Sequence, residues 1–426
     1  MRFGQAVAHE YRGADLPIII GRDTRRSGPM LEHAVASGIA SMGCDVLLAG
    51  VLPTPGISYL TAKLPAAAGI VISASHNPFE DNGLKIFQRN GLKCTDEAEQ
   101  RLADLILGTQ LDADRPRGGA LGHIKPMHEA DMLYAELAQK NFAKDLDLTG
   151  MKIVVDSANG AAHKTTPTVL RALGANVSIF HDQPDGCNIN KDCGSNCPEN
   201  ISRLVKETGA EIGIAHDGDA DRVCFCDEKG SVLDGDEVLA IFGIDYMKHG
   251  KLAENALVAT VMSNMGLDEC LSKAGAKVFR SQVGDRYVLE KMHEHKLNVG
   301  GEQSGHIILR EYSEAGDGLN TALQMLRVMR TTGKKLSELR KCMSKYPQLL
   351  INLPVREKKP VESMPEVIAA VKSVENDLGA EGRVFLRYSG TEPKIRLLIE
   401  AHEKRNGLDK MAERILAPLR ASIGVS

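Results

Sequence analysis

The chain has 426 residues, a length that exceeds one hydrophobic core and predicts about two to four domains. Its net charge of −4 gives no reason to expect a nucleic acid or an anionic membrane as a partner, and no apolar stretch approaches the ~18 residues that a membrane span requires. Nine cysteines, an odd number, favour reduced thiols over a disulfide framework, so the composition predicts a soluble cytoplasmic protein.

Short apolar runs alternate with helical patterns along most of the chain, which predicts an α/β fold. The first strand is expected at residues 16–20. The helix after it begins near Pro29. It is expected to present one apolar face formed by Met30, Leu31, Val35, Ile39 and Met42. A later strand, at residues 68–73, ends in the polar sequence SASHNP.

The order of strand, polar loop and helix start recurs from residues 151 and 255. In each of the three rounds the last strand ends in a polar loop: SASHNP (73–78), HDGDADR (216–222) and GEQSGH (301–306). Because open α/β sheets bind ligands beyond the ends of their strands, the three loops predict a shared cleft.

From about residue 350 the pattern changes to a strand, a helix, two strands and a final helix, which predicts a smaller α+β domain. The sequence therefore predicts three α/β domains followed by this C-terminal domain. Their expected ranges are residues 1–145, 146–240, 241–348 and 349–426.

The loop HDGDADR carries three aspartates at alternate positions. On an extended backbone Asp217, Asp219 and Asp221 would project to the same side, since side chains alternate along a strand. Converging carboxylates repel one another, so a hard divalent cation with oxygen ligands is the natural resolution. A solvated acidic turn is the alternative. A calcium loop of the EF-hand type is disfavoured, because Arg222 stands where that loop requires glycine.

Arg222 follows these carboxylates directly and has two interpretations. Its guanidinium group is suited to grip a phosphate oxygen from the side opposite the metal. Alternatively, it pairs with a local aspartate.

The segment RYSGTEPKIR has the chemistry of a phosphate cradle. It combines guanidinium forks and hydroxyl donors with a glycine that lets backbone N–H groups approach an anion. The residues concerned are Arg387, Ser389, Gly390, Thr391 and Arg396. A hairpin turn with a capping salt bridge is the alternative.

The loop GEQSGH combines two glycines with a carboxylate, a hydroxyl and an imidazole, in Glu302, Ser304 and His306. This combination suits a polyol such as a sugar, although an ordinary loop is an equal alternative.

Ser75 is the candidate reactive group in SASHNP. A serine hydrolase needs a histidine that the fold brings to the nucleophile in space, and the adjacent His76 does not meet this need. The sequence also contains no G-x-S-x-G elbow to carry the serine. A metal-assisted phosphoserine agrees better with the carboxylates of the second loop, because a cation neutralises phosphoryl oxygens during transfer.

Three cysteines lie close together in CNINKDCGSNC, at Cys187, Cys193 and Cys197. They contain no paired C-x-x-C, so ordinary reduced thiols are favoured over a zinc site.

With these four loops in the order SASHNP, DGDADR, GEQSGH and RYSGTEP, the chain resembles the α-D-phosphohexomutase superfamily over nearly its whole length. The sequences ISASHNP, VGDRYV, GEQSGH and SGTEP resemble the bacterial branch that acts on glucosamine phosphates. The resemblance implies a heart-shaped molecule of four domains around a central cleft. It also implies interconversion of glucosamine 6-phosphate and glucosamine 1-phosphate, on the route to UDP-N-acetylglucosamine and the cell wall.

The resemblance implies a role for each matching residue. Ser75 would be the phosphorylated serine, and one Mg²⁺ per chain would be held by a phosphoserine oxygen with Asp217, Asp219 and Asp221. Glucosamine 1,6-bisphosphate would be both primer and intermediate. Positions that match catalytic residues of the cleft are His76, Lys85, Arg222 and His306. Positions that match substrate-binding residues are Arg286, Glu302, Ser304, Arg387, Ser389, Gly390, Thr391 and Arg396.

One departure concerns the start of the chain. The family begins with a strand and a loop reading roughly FGTDGIRG, and nothing here matches it. The chain opens instead within an amphipathic helical pattern that includes Phe3 and Val7. We therefore expect this sequence to lack that strand and its loop, which carries an arginine that faces the phosphoserine in relatives.

Two alternatives to the leading function follow. One is a mutase for glucose or mannose phosphates, and the other is an inactive sugar-phosphate-binding form that results from the missing loop. The expected partner is a small hexosamine phosphate, with no nucleic acid and no membrane. Dimeric relatives make a homodimer a candidate assembly.

Overall fold

The computed structural model describes residues 1–11, 15–112, 115–388, 393–402 and 407–423. They divide into two compact units. The first comprises Met1–Ser263 and Ala274–Cys342, and the second Asn264–Lys273 and Met343–Ser426. The first unit contains three mixed sheets flanked by helices, and the second contains one small antiparallel sheet.

The first sheet has the strand order β4-β3-β1-β2-β5. Its strands are β1 (Ile18–Arg22), β2 (Val46–Val51), β3 (Ala68–Ile72), β4 (Leu84–Gln88) and β5 (Ile124–Pro126). Its helices are α1 (Arg2–Tyr11), α2 (Gly28–Ala40), α3 (Thr54–Lys63), α4 (Asp96–Leu107) and α5 (Ala130–Phe142). Strand β3 is buried throughout, which explains its uninterrupted apolar sequence.

Helices α1 and α2 pack at glycines. A Cβ atom at Gly4 would lie 2.2 Å from the carbonyl oxygen of Val35, so only glycine permits this approach. The expectation for Met30 is wrong, because its side chain is 66% exposed. Val35 lies five positions after Met30. At 3.6 residues per turn, the two side chains therefore project from different sides of the helix, and Met30 lies away from the buried face.

The second sheet has the order β10-β9-β8-β6-β7. Its strands are β6 (Lys152–Asp156), β7 (Asn176–Phe180), β8 (Ile212–His216), β9 (Val223–Asp227) and β10 (Val232–Leu233). Its helices are α6 (Thr165–Ala172) and α7 (Pro198–Thr208).

The third sheet has the order β12-β11-β13-β14. The helices that follow along the chain are α8 (Gly235–Lys248), α9 (Met265–Lys273), α10 (Asp285–Glu294), α11 (Gly318–Thr332) and α12 (Leu336–Leu339). The strands are β11 (Ala256–Thr260), β12 (Lys277–Ser281), β13 (Val299–Gly301) and β14 (Ile307–Leu309).

The three sheets share one construction. In each, a strand of the parallel part is joined by a polar loop to an antiparallel neighbour: β3 to β4, β8 to β9, and β13 to β14. These connections are the three loops singled out in the sequence. The repeated α/β unit and the different C-terminal segment are therefore confirmed.

The second unit is built on the antiparallel sheet β15-β17-β16. The elements of this part of the chain are β15 (Gln348–Pro354), α13 (Pro365–Leu378), β16 (Gly382–Tyr388), β17 (Lys394–Ala401) and α14 (Leu408–Ile423). Helix α9 belongs to this unit: the backbone N–H of Met265 donates to the buried Glu400 carboxylate at 2.7 Å. The domain boundaries given above remain predictions.

No helix in the described parts of the chain is long and apolar enough to cross a membrane.

A buried hydrogen bond joins α5 to α11 in the first unit. The Tyr134 hydroxyl donates to Asp317 Oδ2 at 2.7 Å, and both side chains are almost completely buried. Asp317 also caps α11 by accepting from the backbone N–H of Asn320 at 3.0 Å. Burial raises the pKa of Asp317.

We expect Tyr134→Phe to lower the free energy of unfolding by about 1–3 kcal/mol, because a buried carboxyl oxygen loses its donor. Urea denaturation followed by circular dichroism measures the change. Tyr287→Phe, at a side chain that is 43% exposed, is the control and is expected to change stability by less than about 0.5 kcal/mol. Equal midpoints for the two variants would show that the bond contributes nothing.

Candidate functional site

Ser75 lies in the loop after β3 and contacts the loop after β8. Its hydroxyl donates to Asp217 Oδ2 at 2.7 Å, across 142 residues of sequence. The backbone of Ser75 is left-handed, with φ of 49°, a conformation that non-glycine residues adopt at an energetic cost. His76 lies beside it, with Nδ1 3.5 Å from Ser75 Oγ.

A buried network at the end of β1 holds this strained loop. Ser73 Oγ accepts from the backbone N–H of Ser75 at 3.0 Å and donates to Asp23 Oδ2 at 2.6 Å. Arg25 donates to the same Asp23 oxygen at 2.9 Å. Its guanidinium group also donates to the carbonyls of Ser75 and Asn77, at 3.2 and 2.8 Å. Burial raises the pKa of Asp23, against the opposing effects of Ser73 and Arg25.

Two asparagines hold the loop from the side of the second sheet. The Asn190 amide donates to the carbonyls of Ser75 and Asn77 at 2.9 and 3.1 Å. The Asn196 amide donates to the carbonyl of His76 at 2.8 Å. All three acceptors are backbone atoms, so the two asparagines fix the path of the loop rather than its side chains.

The sequence analysis did not find Asp23, Arg25, Asn190 or Asn196. The sequence GRDTR directly follows the first strand, so the argument from strand ends that selected the other loops also applied to Asp23 and Arg25. No comparable signal marks the two asparagines.

The three aspartates of DGDADR converge, although not on the expected extended backbone. Residues 218–221 form a turn after β8, and Ala220 is left-handed with φ of 58°. That expectation is wrong because the strand ends at His216, before the first aspartate. One carboxylate oxygen from each of Asp217, Asp219 and Asp221 lies within 4.8 Å of the others, and all three side chains are buried.

Lys85 supplies positive charge to this cluster. Its Nζ lies 2.6 Å from Asp219 Oδ2 and 3.2 Å from Asp221 Oδ2. Burial would lower the pKa of Lys85, but the two carboxylates raise it above its ordinary value. Thr54 also donates to Asp219 Oδ2, at 2.5 Å.

The carboxylates differ in their electrostatic surroundings. Burial, reinforced by Asp221 and Asp219, raises the pKa of Asp217 well above its ordinary value. Burial would also raise the pKa of Asp221, but Lys85 and His306 hold it well below that value. Asp219 Oδ1 and Asp221 Oδ1 are buried and have no hydrogen-bond partner among the described residues. Buried carboxylate oxygens without donors fit the ligand set of a hard divalent cation.

Arg222 and His306 border the cluster. The Nε of Arg222 is buried without a hydrogen-bond partner in the described ranges, so an ion pair with a neighbouring aspartate does not satisfy it. His306 lies between two carboxylates, with Nδ1 3.8 Å from Asp221 Oδ2 and Nε2 3.8 Å from Asp285 Oδ2. Burial would lower the pKa of His306, but Asp221 and Asp285 raise it.

The third loop contributes Glu302, whose Oε1 accepts from the backbone N–H of Gly284 at 2.9 Å. Ser304 Oγ donates to Glu302 Oε2 at 3.5 Å. The carboxylate and the hydroxyl therefore lie together in the loop after β13.

A cavity of about 170 Å³ opens beside the carboxylate cluster, and its lining includes Asp221, His306 and Arg286. Arg286 pairs there with Asp96 of α4 and, at 3.1 Å, with Glu290. The predicted site residues of the first unit thus lie around one region. The two carboxylates that pair with Arg286 lie outside the aspartate cluster.

In the second unit, Arg387 of β16 lies directly opposite Arg396 of β17. Residues opposite each other in an antiparallel pair project to the same face of the sheet. The two guanidinium groups therefore concentrate positive charge on that face. The predicted cradle residues Ser389, Gly390 and Thr391 lie outside the described residues.

Comparisons with known proteins match this arrangement along the chain. The four domains of the phosphoglucomutase/phosphomannomutase family match in order. The three alpha/beta/alpha domains match at residues 1–112, 132–230 and 234–346, and the C-terminal domain at residues 350–417. The chain is thereby defined as a phosphohexomutase.

Phosphoglucosamine mutase from Syntrophotalea carbinolica is 48% identical over 428 aligned residues, which cover 100% of this chain and 93% of the relative. The enzyme of the same name from Geobacter metallireducens is 50% identical over 406 residues, covering 95% of this chain and 90% of the relative. The chain belongs to the phosphoglucosamine mutase family, a family of isomerases that act on amino-sugar phosphates.

Solved structures share the fold. A phosphoglucomutase/phosphomannomutase family protein from Burkholderia thailandensis has a TM-score of 0.80 at 24% identity, covering 99% of this chain and 93% of the other. N-acetylphosphoglucosamine mutase from Aspergillus fumigatus, in complex with GlcNAc-6P and magnesium, has a TM-score of 0.66 at 18% identity, covering 87% and 92%.

We expect Asp217→Asn to raise the melting temperature in EDTA by a few degrees, which corresponds to about 1–2 kcal/mol in the free energy of unfolding. The substitution removes one of three mutually repelling buried carboxylates and keeps the shape of the side chain. Differential scanning calorimetry measures the change. Asp104→Asn, on an exposed face of α4, is the control and is expected to leave the transition in place. A lower melting temperature for Asp217→Asn would show that its bonds to Ser75 and to the Arg222 backbone outweigh the repulsion.

Proposed function

We propose that the chain interconverts glucosamine 6-phosphate and glucosamine 1-phosphate, with Ser75 carrying the phosphoryl group between them. The observation that carries the assignment of Ser75 is its 2.7 Å contact with Asp217, at a cluster where two further aspartates have buried oxygens without donors. A hydroxyl beside three carboxylates is poorly placed to attack an acyl carbon, because negative charge surrounds it. It is well placed to share a cation with a phosphoryl group.

The residues that fit Mg²⁺ are Asp217, Asp219 and Asp221, together with an oxygen on Ser75. When bound, Mg²⁺ would supply positive charge that neutralises phosphoryl oxygens. Lys85 and Arg222 border the same cluster. Lys85 stays protonated beside its carboxylates and adds charge from one side, while the Arg222 side chain, which lacks a partner at Nε, grips a phosphoryl oxygen.

The proposed cycle consists of two transfers, each of a different phosphoryl group. The bond from phosphorus to Ser75 Oγ breaks as a sugar hydroxyl forms its own bond to phosphorus, giving glucosamine 1,6-bisphosphate. After that intermediate turns over, the other phosphoryl group returns to Ser75. The proton of the sugar hydroxyl must go to a neighbouring base. His76 is our candidate, because burial and Arg222 lower its pKa and keep the imidazole neutral near pH 7.

The remaining predicted residues bind the substrate. Glu302 accepts hydrogen bonds from sugar hydroxyls, and Ser304 donates to them. The sugar phosphate is oriented by His306 and Arg286. Arg387 and Arg396, with Ser389, Gly390 and Thr391, bind the phosphate that does not react. The Aspergillus fumigatus mutase in complex with GlcNAc-6P and magnesium supports this class of substrate and metal. A homodimer and a cytoplasmic location remain part of the proposal.

We expect Ser75→Ala to lower kcat for glucosamine 6-phosphate by more than about 10³-fold, because no oxygen remains to carry the phosphoryl group. The assay contains Mg²⁺ and glucosamine 1,6-bisphosphate, and intact mass detects phosphate on the protein. The control is Ser27→Ala, which removes an exposed hydroxyl that donates to Asn82 and is expected to leave turnover unchanged.

Glucose and mannose 6-phosphates are assayed in parallel. A preference for either sugar over glucosamine 6-phosphate would support the alternative mutase. Binding of glucosamine 6-phosphate by folded protein without turnover or phosphorylated Ser75 would support an inactive binding form.

We expect Arg387→Gln to raise KM by about ten- to a hundredfold with a smaller change in kcat, since a charge-assisted hydrogen bond of about 1.5–3 kcal/mol to a non-reacting phosphate is lost. Arg414→Gln is the matched control in the same unit, because Arg414 is exposed and pairs with Asp377. A fall in kcat at unchanged KM would contradict the binding role of Arg387 while leaving that of Ser75 intact.

A further inference from the structure

A second cluster of metal-ligand side chains lies in the first unit, and one of its members belongs to the loop that carries Asn190 and Asn196. Asp156 is the last residue of β6, His181 follows the end of β7, and Cys193 lies in the loop before α7. One carboxylate oxygen, one imidazole nitrogen and the thiol sulfur lie within 4.8 Å of one another. Zinc bonds of about 2.0–2.3 Å at tetrahedral angles place ligand atoms about 3.3–3.6 Å apart, so small side-chain movements complete such a site.

The imidazole is held against the carboxylate. His181 Nδ1 is buried and lies 3.0 Å from Asp156 Oδ2, close enough for an ion pair, and Asp156 raises the pKa of His181. Within the described chain this nitrogen has no partner other than Asp156. The backbone of His181 is left-handed, with φ of 49°, and its carbonyl accepts from Ser157 Oγ and from the Asn159 N–H, each at 2.6 Å. Two hydrogen bonds to its carbonyl therefore hold an unusual backbone conformation, and the ring lies against Asp156.

The other two groups are more deeply buried than the imidazole. Asp156 and Cys193 are each 0% exposed, while the His181 side chain is 31% exposed. Of the three groups, the imidazole is therefore the one that solvent reaches.

We propose that Asp156, His181 and Cys193 form a metal site of their own, which takes Zn²⁺ or a similar transition-metal ion, with water in the fourth position. The donor set separates this site from the aspartate cluster. A thiolate and an imidazole select zinc-like ions, whereas carboxylates alone select Mg²⁺. Binding releases the thiol proton to solvent, since the ligand is the thiolate.

The site is connected to the Ser75 loop. Gly194, next to Cys193, donates its backbone N–H to Asp156 Oδ2 at 2.9 Å. The same stretch carries Asn190 and Asn196, which hold the carbonyls of the Ser75 loop. The ion would therefore fasten the loop that positions Ser75, and its role would be structural rather than chemical.

The spacing of Cys187, Cys193 and Cys197 argued against zinc because it considered cysteines alone. The structure combines Cys193 with ligands from two strand ends, 37 and 12 residues earlier in the chain. Only the fold supplies this combination.

Cobalt spectroscopy on the full-length protein tests the proposal, with excess Mg²⁺ present to occupy the aspartate cluster. We expect one Co²⁺ per chain to produce a thiolate-to-cobalt charge-transfer band in the near ultraviolet, and added Zn²⁺ to abolish it. Cobalt bound to the aspartates alone would give no such band, so the readout does not depend on the function proposed above.

Cys193→Ser is expected to abolish the band, and Cys187→Ser, a half-buried cysteine of the same loop, to retain it. His181→Asn suits the left-handed backbone and is expected to weaken cobalt binding by at least about tenfold. Circular dichroism confirms that each variant is folded. Absence of the band in the unchanged protein, or its persistence in folded Cys193→Ser, would overturn the proposal. Should Cys193→Ser fail to fold, unchanged cobalt affinity in His181→Asn would overturn it.

Discussion

Three buried carboxylates around one point are the constraint on which the centre of the first unit depends. Water cannot screen Asp217, Asp219 and Asp221, so their repulsion must be balanced by groups that the fold brings to them. Lys85 comes from the edge strand β4, and Arg222 follows the cluster itself. Two full positive charges against three negative ones leave a deficit, which a divalent ion would more than cover.

The fold meets this constraint by repetition. Each sheet of the first unit reverses direction at its polar loop, where a parallel strand gives way to an antiparallel neighbour. Such a reversal frees backbone groups from the sheet and turns side chains outward at one edge. Three loops of one kind thus supply a hydroxyl, a set of carboxylates and a pair formed by a carboxylate and a hydroxyl. Proximity in the first unit, rather than proximity in sequence, makes them one site.

Much of this could be predicted from the sequence, for identifiable reasons. Ser75 and the aspartates stand at the ends of strongly apolar strands, where a polar cluster has no role in the core. The turn at Ala220 could not be predicted, because the alternation of aspartates agrees with an extended backbone as well as with a turn. The roles of Asn190 and Asn196 were also out of reach. Each acts through an amide that meets a carbonyl more than a hundred residues away, and an asparagine in a loop looks the same whether or not it does so.

The hydrogen bonds that fix the backbone of the Ser75 loop have a consequence for repeated turnover. Arg25, Asn190 and Asn196 grip carbonyl oxygens, and none of them donates to the Ser75 hydroxyl. Carbonyl oxygens keep their charge and position whatever group the serine bears. If Ser75 carries the phosphoryl group, as proposed above, this doubly charged substituent can be gained and lost while the hydrogen bonds that support the loop stay the same. Each proposed cycle then rearranges the small molecule that turns over and leaves the loop in place.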